Sequence, residues 1–111
     1  MEPRGAAACC GCMHLVELFL PADAKFSQTR RALADELSRR FGGMTAFNRA
    51  PAKGLFEQDS GRVEDEIIIF EVMTTDFEHE WWRILRARLE RDFQQDQILI
   101  RASAIQRIKM R

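Results

Sequence analysis

Tyrosine is absent, histidine occurs twice, and no cysteine lies beyond position 12. Each scarcity removes a class of chemistry. With only His14 and His79 to draw on, no Ser-His-Asp set can be assembled. All three cysteines, Cys9, Cys10 and Cys12, fall in the first dozen residues, so none is left to staple the body of the chain. That usage suits a reducing compartment, and a cytoplasmic location is expected. Cys9-Cys10-Gly11-Cys12 followed by His14 has C-x-x-C and C-x-H spacings. No second Cys/His cluster follows to close a four-ligand zinc site, so no metal is expected. Ala6-Ala7-Ala8-Cys9 has the look of a lipoprotein cleavage site, yet only Glu2-Pro3-Arg4-Gly5 precedes it, with no apolar segment. No apolar run approaches the roughly 20 residues of a membrane-spanning helix, so no membrane association is expected. There is no GxGxxG and no P-loop. Charge of one sign is missing too: Lys plus Arg and Asp plus Glu number 17 each. A neutral chain has no global field to attract a polyanion, so nucleic acid is not expected as a partner.

What is present suits one compact domain of 111 residues, 46% hydrophobic and 31% charged. Residues 1–12, rich in Gly, Ala and Cys without periodicity, read as a flexible tail before a single domain over 13–111. Met13 to Leu20 is a short apolar run ended by Pro21, a strand apolar on both faces but for Glu17. Ser27 is the expected N-cap of a helix running to about Phe41, with Thr29, Leu33, Leu37 and Phe41 as its buried stripe. Arg30, Arg31, Arg39 and Arg40 fall mainly outside that stripe and read as a solvated face, since Asp35 and Glu36 interrupt them. Gly42-Gly43 should close the helix in a Schellman motif.

Met44 to Arg49 reads as a second strand, interrupted by Arg49-Ala50-Pro51-Ala52-Lys53-Gly54 and resumed at Leu55-Phe56-Glu57. Pro51 cannot donate to a ladder, so this strand belongs at an edge or carries a bulge. Asp59-Ser60-Gly61 is a hairpin turn, and Asp65 to Met73 returns as the most apolar strand of the chain. Thr74, Thr75 or Asp76 should cap a second helix over about Phe77 to Gln94. Its apolar arc is Trp81, Trp82, Leu85, Leu89 and Phe93, with Ile84 on the flank; Arg83, Arg86, Glu90 and Arg91 form its polar side. Gln97 to Ala102 is the last strand, and AIQRIKMR either extends it or packs loosely.

The order β-α-β-β-α-β predicts a ferredoxin-like α+β plait: a four-stranded antiparallel sheet with two helices on one face, strands ordered 4-1-3-2. The two strands apolar on both faces are the two that this topology places in the middle, so pattern and topology agree.

In such a plait the other face of the sheet is open. Here it reads Met13, Leu15, Phe19, Ile67, Ile69, Met73 and Leu99, more apolar surface than a monomer ordinarily exposes. A second copy of the chain is the expected cover, giving a homodimer through the open sheet face. Hiding about 600 Å² of it per chain would contribute on the order of 15 kcal/mol for each chain before association costs. Glu17, Glu71 and Arg101 fall on the same face, as does Arg49 if its parity survives the break. These charges form either an ion-pair network that fixes the dimer register or a cleft in which Glu71 or Glu17 is a catalytic candidate. Arg49, Arg101 and Lys53 are the candidate ligands of a small anion, Lys53 lying in a short basic loop. His14 is placed at the edge of the core and His79 on the exposed side of the second helix; Trp81 and Trp82 read as core.

FGGMTAF at 41–47, APAKGLFE at 50–57, EDEIIIFEVM at 64–73 and EWWRILRARLERDFQQDQILIRA at 80–102 resemble the small bacterial dimeric α/β plait proteins of unknown function. The likeness spans nearly everything from Met13 onward. It implies the plait and the dimer and transfers no catalytic residue. Haem- and hydroxyl-handling proteins of this fold class often use a His or Tyr in the cleft; this chain has no Tyr and only two His, neither clearly on the open face, so no cofactor is expected. Three functions follow as expectations. The first is a cytoplasmic homodimer that binds a small anionic or polar-aromatic molecule between sheet and cover. The second is a small cofactor-free enzyme with Glu71 or Glu17 as general base and Arg49 and Arg101 on the substrate. The third is a protein-interaction module.

Overall fold

A computed structural model describes residues 12–49 and 66–108. Strand β1 (Cys12–Pro21) leads through a single 3-10 turn at Ala24–Phe26 into helix α1 (Ser27–Phe41) and strand β2 (Thr45–Arg49). Strand β3 (Ile67–Thr74), helix α2 (His79–Asp92) and strand β4 (Ile100–Gln106) follow. The sheet is antiparallel throughout, in the order β2-β3-β1-β4. This is the ferredoxin-like α+β plait, with the two doubly apolar strands in the middle. The 50–54 break, Lys53, the Asp59-Ser60-Gly61 turn, Cys9 and Cys10 lie outside the described residues. No described helix is long and apolar enough to cross a membrane.

Alternation in the central strands separates the two faces of the sheet. Val16, Leu18 and Leu20 of β1 and Phe70 and Val72 of β3 point to one side. There they join Leu33 and Leu37 of α1 and Trp82, Leu85 and Leu89 of α2 in a single buried cluster. Both helices therefore cover the same face. Phe93 and Ile98 complete this core from beyond the end of α2. Phe41 stacks on Trp82 with ring centroids 5.3 Å apart and meets Trp81 edge-on at 5.6 Å. Aromatic pairs in such geometries add stabilisation beyond their area, of about 0.5–1.5 kcal/mol each.

Helix ends differ from expectation in instructive ways. Ser27 is the first residue of α1, not its cap; Phe26 holds the N-cap position without a side-chain bond, and Asp23 caps the preceding 3-10 turn through the N–H of Lys25. Gly42 is left-handed (φ 82°) and donates to the Ser38 carbonyl at 2.8 Å. This single bond is the αL closure, where a Schellman motif would add a second. The Schellman motif occurs instead at α2. Gln94 is left-handed (φ 56°), its N–H bonds the Arg91 carbonyl at 3.1 Å, and the Gln95 N–H bonds the Glu90 carbonyl at 2.9 Å. Helix α2 starts at His79 after Glu78, which makes no side-chain cap, while the Thr74 hydroxyl donates to the Asp76 carbonyl in the turn before it.

The last strand starts later than its alternation suggested, and it takes in Ala104–Gln106, the extension that the sequence allowed. The ladder with β1 runs from Ile100 opposite Leu18 to Gln106 opposite Cys12. Ile98, buried ahead of the strand, gives its N–H to the Glu90 carboxylate at 3.1 Å.

Candidate functional site

The open face of the sheet is built row by row from strand register. In antiparallel pairing, residues opposite one another share a face. Thr45 stands opposite Glu71, Glu71 opposite Glu17, and Glu17 opposite Arg101, so one transverse row crosses all four strands. The adjoining row on that face is apolar: Phe47 opposite Ile69 and Ile69 opposite Phe19, with the Phe19 N–H bonded to Leu99. On the other side, Leu15 pairs with both Met73 and Ser103. Glu17 and Glu71 are thus two carboxylates held between apolar rows.

Within one chain the Arg101 Nε donates to Glu17 Oε1 at 2.8 Å, and its guanidinium lies over the Phe19 ring at 5.0 Å. The Glu17 side chain is 20% exposed and that of Arg101 61%. Screening at that exposure limits the pair to about 1 kcal/mol in a single chain. It has a second role. Like charges directly opposed across strands repel, and Arg101 offsets on one side of Glu17 the repulsion from Glu71 on the other.

Of the residues singled out in the sequence, Glu17, Glu71 and Arg101 are therefore brought together. The backbone of Arg49 pairs with Ile67, four residues along β3 from Glu71. At the rise of an extended strand this is about 14 Å, so Arg49 does not belong to the same row. Lys53 lies outside the described residues.

Apolar exposure on this face is substantial. Phe47, Met73 and Leu99 are 40%, 44% and 53% exposed, with Leu15, Phe19 and Ile67 partly buried between them. Ile69 is the exception: it is buried, although it stands outside the helix-side core.

The remaining candidates fall elsewhere. His14 faces the helices, half-buried and stacked on Phe77 with centroids 5.3 Å apart. Its Nδ1 is buried and has no partner among the described residues. His79 is exposed and meets Phe77 edge-on at 5.7 Å. Two arginines of the first helix are not simply solvated. Arg30 donates to the carbonyls of Pro21 and Asp23 at 2.7 and 3.0 Å, pinning the β1–α1 loop. Arg40 pairs with Glu78 at 2.9 Å and covers the Trp81 ring at 4.2 Å. Arg88, which the sequence reading did not single out, joins the helices through Glu36 at 2.6 Å beside a cleft of about 330 Å³. Hydrogen bonding to Glu36 holds the guanidinium above its usual range. Only the approach of the two helices reveals this contact, because the partners are 52 residues apart.

No family model matches the chain, and no curated protein matches it in sequence.

Proposed function

We propose that the chain is a homodimeric α/β plait protein, of the kind its sequence resembles, which closes sheet against sheet and binds a small polar molecule between the two faces. One observation carries this reading. The open face exposes Phe47, Met73 and Leu99 around a row containing Glu71, Glu17 and Arg101. An apolar face of this kind marks an interaction surface, and a two-fold axis lets one surface cover its own copy. The charged row supplies what an apolar pocket needs for orientation: a guanidinium donor beside a carboxylate acceptor. Glu17, Glu71 and Arg101 sum to one net negative charge. The ligand best suited to that row alone therefore offers both a donor to Glu71 and an oxygen to Arg101. A purely anionic ligand would need Arg49 and Lys53 as well. Cytoplasmic location and the absence of a cofactor belong to the same reading, resting on cysteine usage and on the scarcity of His and Tyr.

The cross-strand pairing of Glu17 with Glu71 favours a second reading, an enzyme in which one carboxylate acts as general base. Two carboxyls at one partly desolvated site are a setting in which acid and base roles separate.

Glu71→Gln tests both readings. The variant should fold with wild-type secondary structure but change either the dimer mass or the thermal shift given by small polar molecules. Wild-type thermal stability, sedimentation and ligand response together would contradict a role for this row.

A further inference from the structure

A second recess lies on the opposite side of the sheet, between α2 and the edge strand β4. It has a volume of about 240 Å³, and its apolar walls are Phe77, Trp82, Ile100 and Ala102. Its basic lining is Arg83 and Arg86 from α2 and Arg101 in the β4 segment, with the His79 imidazole also among the lining residues. No carboxylate lines this recess, in contrast to the row on the open face.

The two helix arginines are not equally free. Arg83 is held by Glu80 through two bonds, Nε to Oε1 at 3.2 Å and Nη2 to Oε2 at 2.8 Å. Among the described residues, the carboxylate oxygen paired with Arg86 is Glu90 Oε2, at 3.9 Å. That same oxygen accepts the backbone N–H of Ile98 at 3.1 Å, which draws it toward the core end of the helix. Among the described residues, Arg86 therefore keeps most of its donors for another acceptor. The side chain of Arg101 is committed to Glu17 on the far face.

We infer that this recess binds a small aromatic anion, a single-ring carboxylate in size, with its ring between Phe77 and Trp82 and its carboxylate on Arg86. The volume sets the size, since pockets for drug-sized ligands run from about 300 to 1,000 Å³. Two aromatic walls set the ring, because offset and edge-on packing favours a flat partner. The planar guanidinium sets the head group, which it can meet with two parallel hydrogen bonds. The site is distinct from the row at Glu71 and does not require the dimer.

Benzoate is the probe, followed through the fluorescence of the 111-residue chain, in which Trp82 forms a wall and the Trp81 ring centroid lies 4.9 Å from that of Trp82. Saturable quenching is expected, with a dissociation constant on the order of 1 mM for so small a ligand, and weakened by salt. Acetate, which lacks the ring, and benzyl alcohol, which lacks the charge, should both leave the signal unchanged. Arg86→Gln should weaken benzoate about tenfold, the worth of one charge-assisted hydrogen-bonded contact. Arg91→Gln, an exposed arginine of the same helix, should not. Leu15→Arg, on the open face, should also retain binding, which separates this site from the proposed dimer cleft. Unchanged benzoate affinity in Arg86→Gln would overturn the inference, as would loss in Leu15→Arg or no saturable response in the wild type.

Discussion

Single charges in this chain are governed by what their neighbours already hold. Glu80 accepts two hydrogen bonds from Arg83, and those bonds, together with the arginine's charge, hold its carboxyl below the ordinary 4.5. A carboxyl lowered on folding contributes stability that is complete above pH 4.5 and disappears as pH falls through the lowered value. Urea midpoints of the wild type and Glu80→Gln should therefore differ near neutral pH and converge in acid. A difference that persists unchanged to the lowest pH would contradict the pairing. Arg88 is the more structural case, since its partner Glu36 belongs to the other helix. Both side chains are about one-third or more exposed, so Glu36→Ala should cost only about 0.5–1 kcal/mol, measured by chemical denaturation. Glu17 and Glu71 were legible in the sequence because a lone carboxylate in an apolar strand is conspicuous. Arg30, Arg40 and Arg88 were not, because their partners are set by tertiary approach.

At the scale of elements, apolar alternation located every strand and helix among the described residues, while the ends followed hydrogen bonding that alternation does not encode. The Gln97–Ile100 stretch alternates as a strand would. Yet Ile98 spends its N–H on the Glu90 carboxylate, and the ladder begins only at Ile100. The close of α2 was equally hard to read, because Gln94 occupies a left-handed position where glycine or asparagine is the usual signal. This makes a direct prediction. Gln94→Gly should remove the steric penalty of a side chain at positive φ and raise stability by about 1 kcal/mol, read from the denaturation midpoint. A loss of stability would show that the Schellman closure is not the strained point. Leu37, fully buried against the sheet, tests the packing of α1: Leu37→Ala should cost about 2–5 kcal/mol.

At the scale of the whole molecule, the plait explains why two faces of one sheet have different fates. The helix side is closed by Leu33, Leu37, Trp82, Leu85 and Leu89, and the other side keeps Phe47, Met73 and Leu99 in solvent. The central strands carried this information in the sequence, being apolar on both faces; parity put Glu17, Glu71 and Arg101 on one face, and the register, which parity does not specify, brings them into one row. Placing Arg49 four residues from that row depends on how β2 pairs with β3, which no local pattern specifies. The proposed dimer is the claim on which the small-molecule cleft rests, and sedimentation equilibrium of the wild type beside Leu15→Arg tests it most directly. Leu15 lies on the open face between Met73 and Ser103, so an arginine there places an unpaired charge at the interface without disturbing the helix-side core. The account predicts twice the chain mass for the wild type and the single-chain mass of 12.9 kDa for a folded Leu15→Arg. A wild-type monomer, or a variant whose mass is unchanged, would contradict it.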